Sequence, residues 1–170
     1  MKMQLILALA IGLIAAPAFA QQADPAHMPG EEAVPAYQAS NANAGITPFE
    51  GDAMFRAFNG QAGIDRIVDD MVERNLVDPR IADIFARSDE VRLRRTLKEQ
   101  FCYILGGGCD YSGRDMASSH ADLGLEPADM GALVENLQAA MTTEGVGFHT
   151  QNRFLAKLAH MRRDVVTRHH

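Results

Sequence analysis

The sequence predicts an all-α fold, on three observations: four apolar stripes spaced at three and four residues, no convincing alternation of strand type, and Pro or Gly at the breaks between stripes. At 170 residues the chain has room for one ordinary domain rather than two. Hydrophobic residues make up 47% and charged residues 22%, enough apolar material for a buried core.

The first stripe is Ile64, Ile67, Val68, Met71 and Val72, one face of a helix of about four turns. Asp78-Pro79 ends it, because the residue before a proline is pushed out of helical geometry. Ile81 to Phe85 has the length of a single turn. The second stripe, Leu93, Leu97, Phe101 and Ile104 or Leu105, stops at Gly106-Gly107-Gly108. Asp110 to Leu125 has no period. Pro127 suits the first turn of a third helix, whose face is Met130, Leu133, Val134, Leu137 and Met141, and Thr142 to Gly147 breaks it. A last helix carries Phe154, Leu158, Met161 and Val165 and ends in basic residues, which suit its negative terminus.

Upstream, residues 1–20 read as a secretory signal: Lys2, an apolar run from Leu5 to Ala16, and Ala18-Phe19-Ala20 at the cleavage position. As a membrane anchor the run is short, and no stop-transfer cluster flanks it. The expectation is an exported, periplasmic protein with no membrane association after cleavage. Residues 21–50, with Pro25, Pro29, Pro35 and Pro48 among polar residues and no apolar period, read as a flexible leader, and His27 within it as solvated. The compact domain then spans 51–168.

Charge and aromatic content exclude some partners. The net charge is -6, which becomes -7 once Lys2 leaves with the signal, and Trp is absent. Neither the basic face of a nucleic-acid binder nor a platform for stacking bases is present.

Two cysteines in an exported chain read differently from two in a reducing compartment. Cys102 and Cys109 flank the three glycines, so a disulfide closing that loop is one reading. A buried free thiol at Cys102, or two thiols that never meet, are the alternatives. Two cysteines do not make a structural zinc site, and without C-x-x-C-H there is no thioether haem attachment.

A plain four-helix bundle would explain the stripes, but its connections usually run two to eight residues, and Asp110–Leu125 is longer. Long ordered loops in compact domains are more often functional. This one holds His120 between Ser118-Ser119 and Leu123. A lone helical-protein histidine is more often a solvated or satisfied side chain than a ligand. His120 has no second His or carboxylate at i+3 or i+4, so it does not build a multi-ligand metal motif. One protein nitrogen is nonetheless what a porphyrin iron needs, because the macrocycle supplies the other four donors. His149 and His160 are weaker candidates, and His169 and His170 are terminal.

The order of the pieces over Met54–Arg168 resembles the truncated haemoglobins, group I among them. The matching stretches are Phe58-Asn59-Gly60 through Asp69-Asp70, Leu76 to Phe85, Leu105-Gly106-Gly107, Tyr111-Ser112-Gly113-Arg114-Asp115-Met116 running on to His120 and Gly124-Leu125, and Asp164-Val165-Val166. A glycine pair ending a helix, then Tyr-x-Gly, then Met with His four residues later, is a fairly specific signature.

The resemblance implies a two-over-two helical sandwich, a truncated globin over 51–168, holding noncovalent haem b. His120 matches the proximal ligand to iron, and Phe85 the phenylalanine packed on the porphyrin face. Tyr111 and Met116 match contacts to the haem edge, while Leu93 and Leu97 face the sixth coordination site. Leu125, Met130 and Leu133 would close the proximal wall. Arg94, Arg95 and Arg114 are equally available to the propionates. Some family members link a last-helix histidine to the haem covalently; His160 stands one residue from that place. Met71 or Met54 could in principle swing in as an internal sixth ligand, but an open or water-bound site is the default.

The departures from the family bear on function. Where group I members commonly carry a distal Tyr this chain has Val72, and where a distal Gln is common it has Leu97. With Leu93 beside them no donor stands over the iron. A missing hydrogen bond is worth about 1–3 kcal/mol to held dioxygen, or ten- to a hundred-fold in affinity. Weak, quickly released dioxygen is expected, with carbon monoxide little affected, which argues against nitric-oxide dioxygenase chemistry. The leading expectation is a protein binding a diatomic gas (O2, CO or NO). The alternatives are a periplasmic haem enzyme, dioxygenase or peroxidase-like, which would need an electron-donor protein, or a redox or sensing module using the Cys102–Cys109 pair.

Overall fold

A computed structural model describes residues 28–168; the expected signal at 1–20, His27, His169 and His170 lie outside the described residues. Among the described residues eight α-helices run in order: α1 Ala53–Ala57, α2 Gly60–Val77, α3 Ala82–Phe85, α4 Glu90–Ile104, α5 Met116–His120, α6 Pro127–Thr143, α7 Phe148–Leu158 and α8 Arg162–Val165. Among the described residues there is no strand, and no helix is long and apolar enough to cross a membrane.

Two helix pairs make the body. α2 packs across both α4 and α6, and α7 returns against α6. The α2 stripe of Ile64, Ile67, Val68, Met71 and Val72 is buried, as are Phe101, Ile104 and Leu105 at the end of α4 and Leu137, Ala140 and Met141 on α6. Phe154 of α7 sits at the centre, edge-on to Phe58 at 5.1 Å and to Phe101 at 5.0 Å between ring centroids. This is the geometry aromatic quadrupoles favour.

Local chemistry sets the boundaries. Asn59, at φ 61°, turns the chain from α1 into α2. Gly63 is forced by space: a Cβ there would stand 2.0 Å from the Phe58 carbonyl oxygen. Asp89 caps α4 by accepting from the Arg92 N–H at 3.0 Å. Pro127 opens α6 as its sequence position predicts, with Asp129 accepting from the Glu126 N–H at 2.9 Å.

Three expectations need correction. Asp110–Leu125 is not wholly irregular, because Asp115 caps the short helix α5 by accepting from the Ser118 N–H at 2.8 Å. The last helix is not continuous: a 3-10 turn, Ala159–Met161, separates α7 from α8.

The third concerns residues 28–50, expected to be a flexible leader and instead packed on the body. Ala44 is fully buried, and Ile46 and Phe49 lie against the core. The order comes from polar contacts. Tyr37 Oη donates to the Ser112 carbonyl, Asn43 Nδ2 to the Gly113 carbonyl, Asn41 Nδ2 to Asp110 Oδ1, and the Tyr111 N–H to Asn41 Oδ1. All four reach the connection that leads to α5.

Candidate functional site

His120 is the last residue of α5, half-buried. Its Nδ1 lies 2.7 Å from the Met116 carbonyl oxygen, four residues back on the same helix, so Nδ1–H donates to that carbonyl and fixes the ring and its tautomer. Nε2 has no hydrogen-bond partner among the described residues. Burial pushes the imidazole below its ordinary range, and the carbonyl works in the opposite direction with less effect. A neutral ring with a lone pair on Nε2 is the form that ligates a metal.

The α5 helix is held from several sides. Met116 is buried, and its Sδ accepts from Gln100 Nε2 of α4 at 3.3 Å, while the same amide donates to the Ala44 carbonyl at 3.1 Å. Gly45, at φ 78°, lets the turn after Ala44 close on α5: a Cβ there would meet Met161 Sδ at 2.9 Å and Met116 Cγ at 3.1 Å. On the far side the Thr167 and Arg168 N–H groups donate to the Leu125 carbonyl, tying the chain's end to the segment after His120. Gln100 and the 28–45 segment were missed by sequence reasoning. Gln100 interrupts an apolar helix face, and that is the signal by which it could have been found.

The other expected site residues divide by environment. Tyr111 is buried, its ring covers Gly113, and its hydroxyl donates to the Arg114 carbonyl at 3.0 Å; burial pushes the phenol up. Leu125 is buried, whereas Leu93, Leu97 and Met130 are only partly buried against the core. Phe85 and Leu133 are half-buried and stand outside that core cluster. Apolar side chains on α3, α4 and α6 thus keep uncovered surface.

The arginines are no longer equivalent. Arg94 pairs with Asp69, Glu73 and Glu90. Arg95 pairs with Glu31 and Glu99. Arg114 has no ion pair or side-chain hydrogen bond among the described residues. His160 is exposed on the 3-10 turn, its Nδ1 3.1 Å from the Ala156 and Lys157 carbonyls at the end of α7. A cleft of about 650 Å³ between residues 28–29, α2 and α4 holds Arg94, Arg95 and Lys98, but these cations are already paired and His120 is not among its walls.

The donor set can be tested against a porphyrin iron. Among the described residues no group of three or more His, Cys, Asp or Glu side chains could hold a bare metal ion. One anchored imidazole with a free Nε2, in a fold whose α3, α4 and α6 keep apolar surface uncovered, suits a ligand that brings its own equatorial donors. The residues fit the group.

The profile of the family described as bacterial-like globin matches residues 53–167. The chain belongs to the bacterial-like globin family. Haem binding and the binding of small diatomic gases are the general activity of that family.

Relatives agree. The group 1 truncated hemoglobin of Nostoc commune is 28% identical over 109 residues, covering 64% of this chain and 92% of the relative. That of Tetrahymena thermophila is 25% identical over 111 residues, covering 65% and 92%. Among solved structures, the Fe(III) truncated hemoglobin of Tetrahymena pyriformis superposes with a TM-score of 0.65 at 23% identity, over 68% of this chain and 98% of that one. The 2/2 hemoglobin of Synechococcus sp. PCC 7002, in the cyanomet state and with covalently attached heme, gives 0.62 at 25% identity, over 68% and 98%. The architecture of this globin is the two-over-two helical sandwich that its sequence implies.

Proposed function

We propose that this globin is an exported gas-binding protein in which His120 Nε2 ligates the iron of noncovalent haem b. The observation that carries the reading is the 2.7 Å contact from His120 Nδ1 to the Met116 carbonyl, which leaves Nε2 as a neutral, oriented donor. Haem, when bound, supplies the iron on which a diatomic gas is held reversibly.

The chain's own residues set how it is held. Phe85 and Leu133, half-buried outside the core cluster, and Leu93, Leu97 and Met130 at its margin offer apolar surface for the porphyrin. Tyr111, Met116 and Leu125, all buried, pack the segment on either side of His120 into the core. Arg114, the unpaired arginine of the three candidates, serves the propionates. Val72, Leu93 and Leu97 contribute apolar side chains to the distal wall and exclude water. Export accords with the Cys102–Cys109 disulfide, because such bonds persist in oxidising compartments. The N-terminus of the mature protein, read by mass spectrometry, should be Gln21.

Absorption spectra of the purified protein, ferric, ferrous and with carbon monoxide, test the reading beside His120→Ala. The wild-type chain should show a Soret band that moves with carbon monoxide, and the variant should lose or shift it. A chain that stays colourless with ample porphyrin, or a Soret band indifferent to His120→Ala, would overturn the assignment.

A further inference from the structure

Asn75 stands where the pattern calls for an apolar residue. α2 buries Ile64, Ile67, Val68, Met71 and Val72 in steps of three and four; the next position on that stripe is Asn75, at 0% exposure. A buried amide must find partners for its oxygen and its two N–H groups. The oxygen has one, since Asn136 Nδ2 on α6 donates to it at 2.9 Å. The nitrogen has none.

The neighbours decide which way this amide faces. Asp78, just past α2, is held well below the ordinary carboxylate range by hydrogen bonds from Arg80, so it is ionised and only accepts. Asn136 must therefore present its NH2 to Asp78, which it does at 3.1 Å. The same nitrogen faces Asn75, so Asn75 turns its oxygen toward Asn136 and its own NH2 away. The relay from Asp78 through Asn136 to Asn75 ends in an oriented donor with no acceptor in the interior. An apolar side chain of similar size would avoid leaving a buried donor unmade.

We propose that Asn75 Nδ2 is the hydrogen-bond donor toward the diatomic ligand, a role that no side chain at Val72, Leu93 or Leu97 can fill. Asn75 lies one turn beyond Met71 and Val72 on the buried face of α2, which packs on α4, bearing Leu93 and Leu97, and on α6, bearing Leu133. A donor there favours dioxygen, which takes on negative charge when held, over carbon monoxide, which takes little. The inference rests on the haem reading above and makes the distal cavity selective rather than uniformly apolar.

The test compares the full haem-loaded chain with Asn75→Leu, using dioxygen and carbon monoxide as probes. Dioxygen should leave the variant about ten-fold faster, carbon monoxide release should change by less than about two-fold, and the C–O stretching band should move to higher wavenumber. A purely structural Asn75 would alter the unfolding of the haem-free chain and leave the band alone. Unchanged dioxygen release with an unmoved band overturns the assignment. If Asn75→Leu does not load haem, the wild-type chain carries the test: its ligand vibrational band should differ between H2O and D2O, because the amide protons exchange. The same band in both solvents overturns the proposal while leaving His120 in place. A wild-type chain that takes up no haem overturns the haem reading as well.

Discussion

The Glu31 carboxylate accepts from the Arg95 guanidinium at 2.5 and 3.2 Å, and the Glu31 side chain is entirely withdrawn from solvent. Arg95 also donates to Glu99 and to Ser112, while Glu99 accepts from the Ser112 N–H at 2.9 Å. One cation therefore joins the N-terminal segment, α4 and the connection that leads to His120. Arg95 holds the Glu31 carboxyl below its usual range even though burial works the other way.

Removing Glu31 takes one carboxylate from Arg95, which keeps Glu99 and Ser112 as partners. Glu31→Ala should destabilise the chain by about 2 kcal/mol, because charge-assisted hydrogen bonds between the N-terminal segment and α4 are lost while Arg95 stays paired. In a double-mutant cycle with Arg95→Ala the two changes should couple by about 2 kcal/mol. Urea unfolding of the four proteins measures this, and additive effects would show that the segment is not anchored through this pair.

How much of this was legible in the sequence depends on the range of each interaction. α2, α4 and α6 announced themselves because periodic burial is local, and Asp78-Pro79, the three glycines and Pro127 mark their ends by backbone sterics. α5 has five residues, too few to display a period, although Asp115 before Ser118 is a readable cap. The order of residues 28–45 was invisible because its contacts, such as Asn43 to Gly113 and Glu31 to Arg95, join polar residues more than 60 positions apart. His120 was found through motif resemblance, and its anchoring on Met116 then gave that reading a physical basis. The choice among the arginines waited on geometry, since only the fold shows where Arg94 and Arg95 find carboxylates.

Acid should expose the Glu144 contact. Glu144 follows α6, where the helix dipole disfavours a carboxylate, yet hydrogen bonds from Arg66, then from Asn59, hold its pKa at about 2. A carboxyl depressed on folding adds stability above its unfolded value of about 4.5, and loses it as pH falls toward about 2. Glu144→Gln should be less stable than wild type at pH 7, with the gap closing between pH 4.5 and 2. Thermal unfolding across that range checks this; a gap that persists at the acid end would mean the charge is not what holds the contact.

The Cys102–Cys109 bond, one of the readings open to the sequence, is formed and closes a loop with a sequence separation of 7. Chain entropy for so short a loop gives about 2.5 kcal/mol of stabilisation. The double variant Cys102→Ala, Cys109→Ala should lose about that much in urea unfolding. Gly107 is bound into the same corner, since a Cβ there would lie 2.6 Å from Cys102 Sγ and from the Phe55 ring. Gly107→Ala should therefore weaken the chain with the disulfide intact, and equal stability of all three proteins would show that the corner contributes nothing.

Val72 offers the complementary test of the distal wall. It is fully buried on the α2 stripe, and the resemblance sets it where group I members commonly carry a distal tyrosine. Val72→Tyr adds a hydroxyl donor at that wall, at some cost in packing, since overfilling a close-packed site typically costs about 1–3 kcal/mol. Dioxygen release, followed by stopped flow, should slow about ten-fold or more. In the Asn75→Leu background the same substitution should recover the slow release, because either donor meets the same charge on the ligand. An unchanged rate in a folded, haem-loaded Val72→Tyr protein would mean that this face of α2 does not look onto the ligand, and both Val72 and Asn75 would have to be reassigned to the helix interface alone.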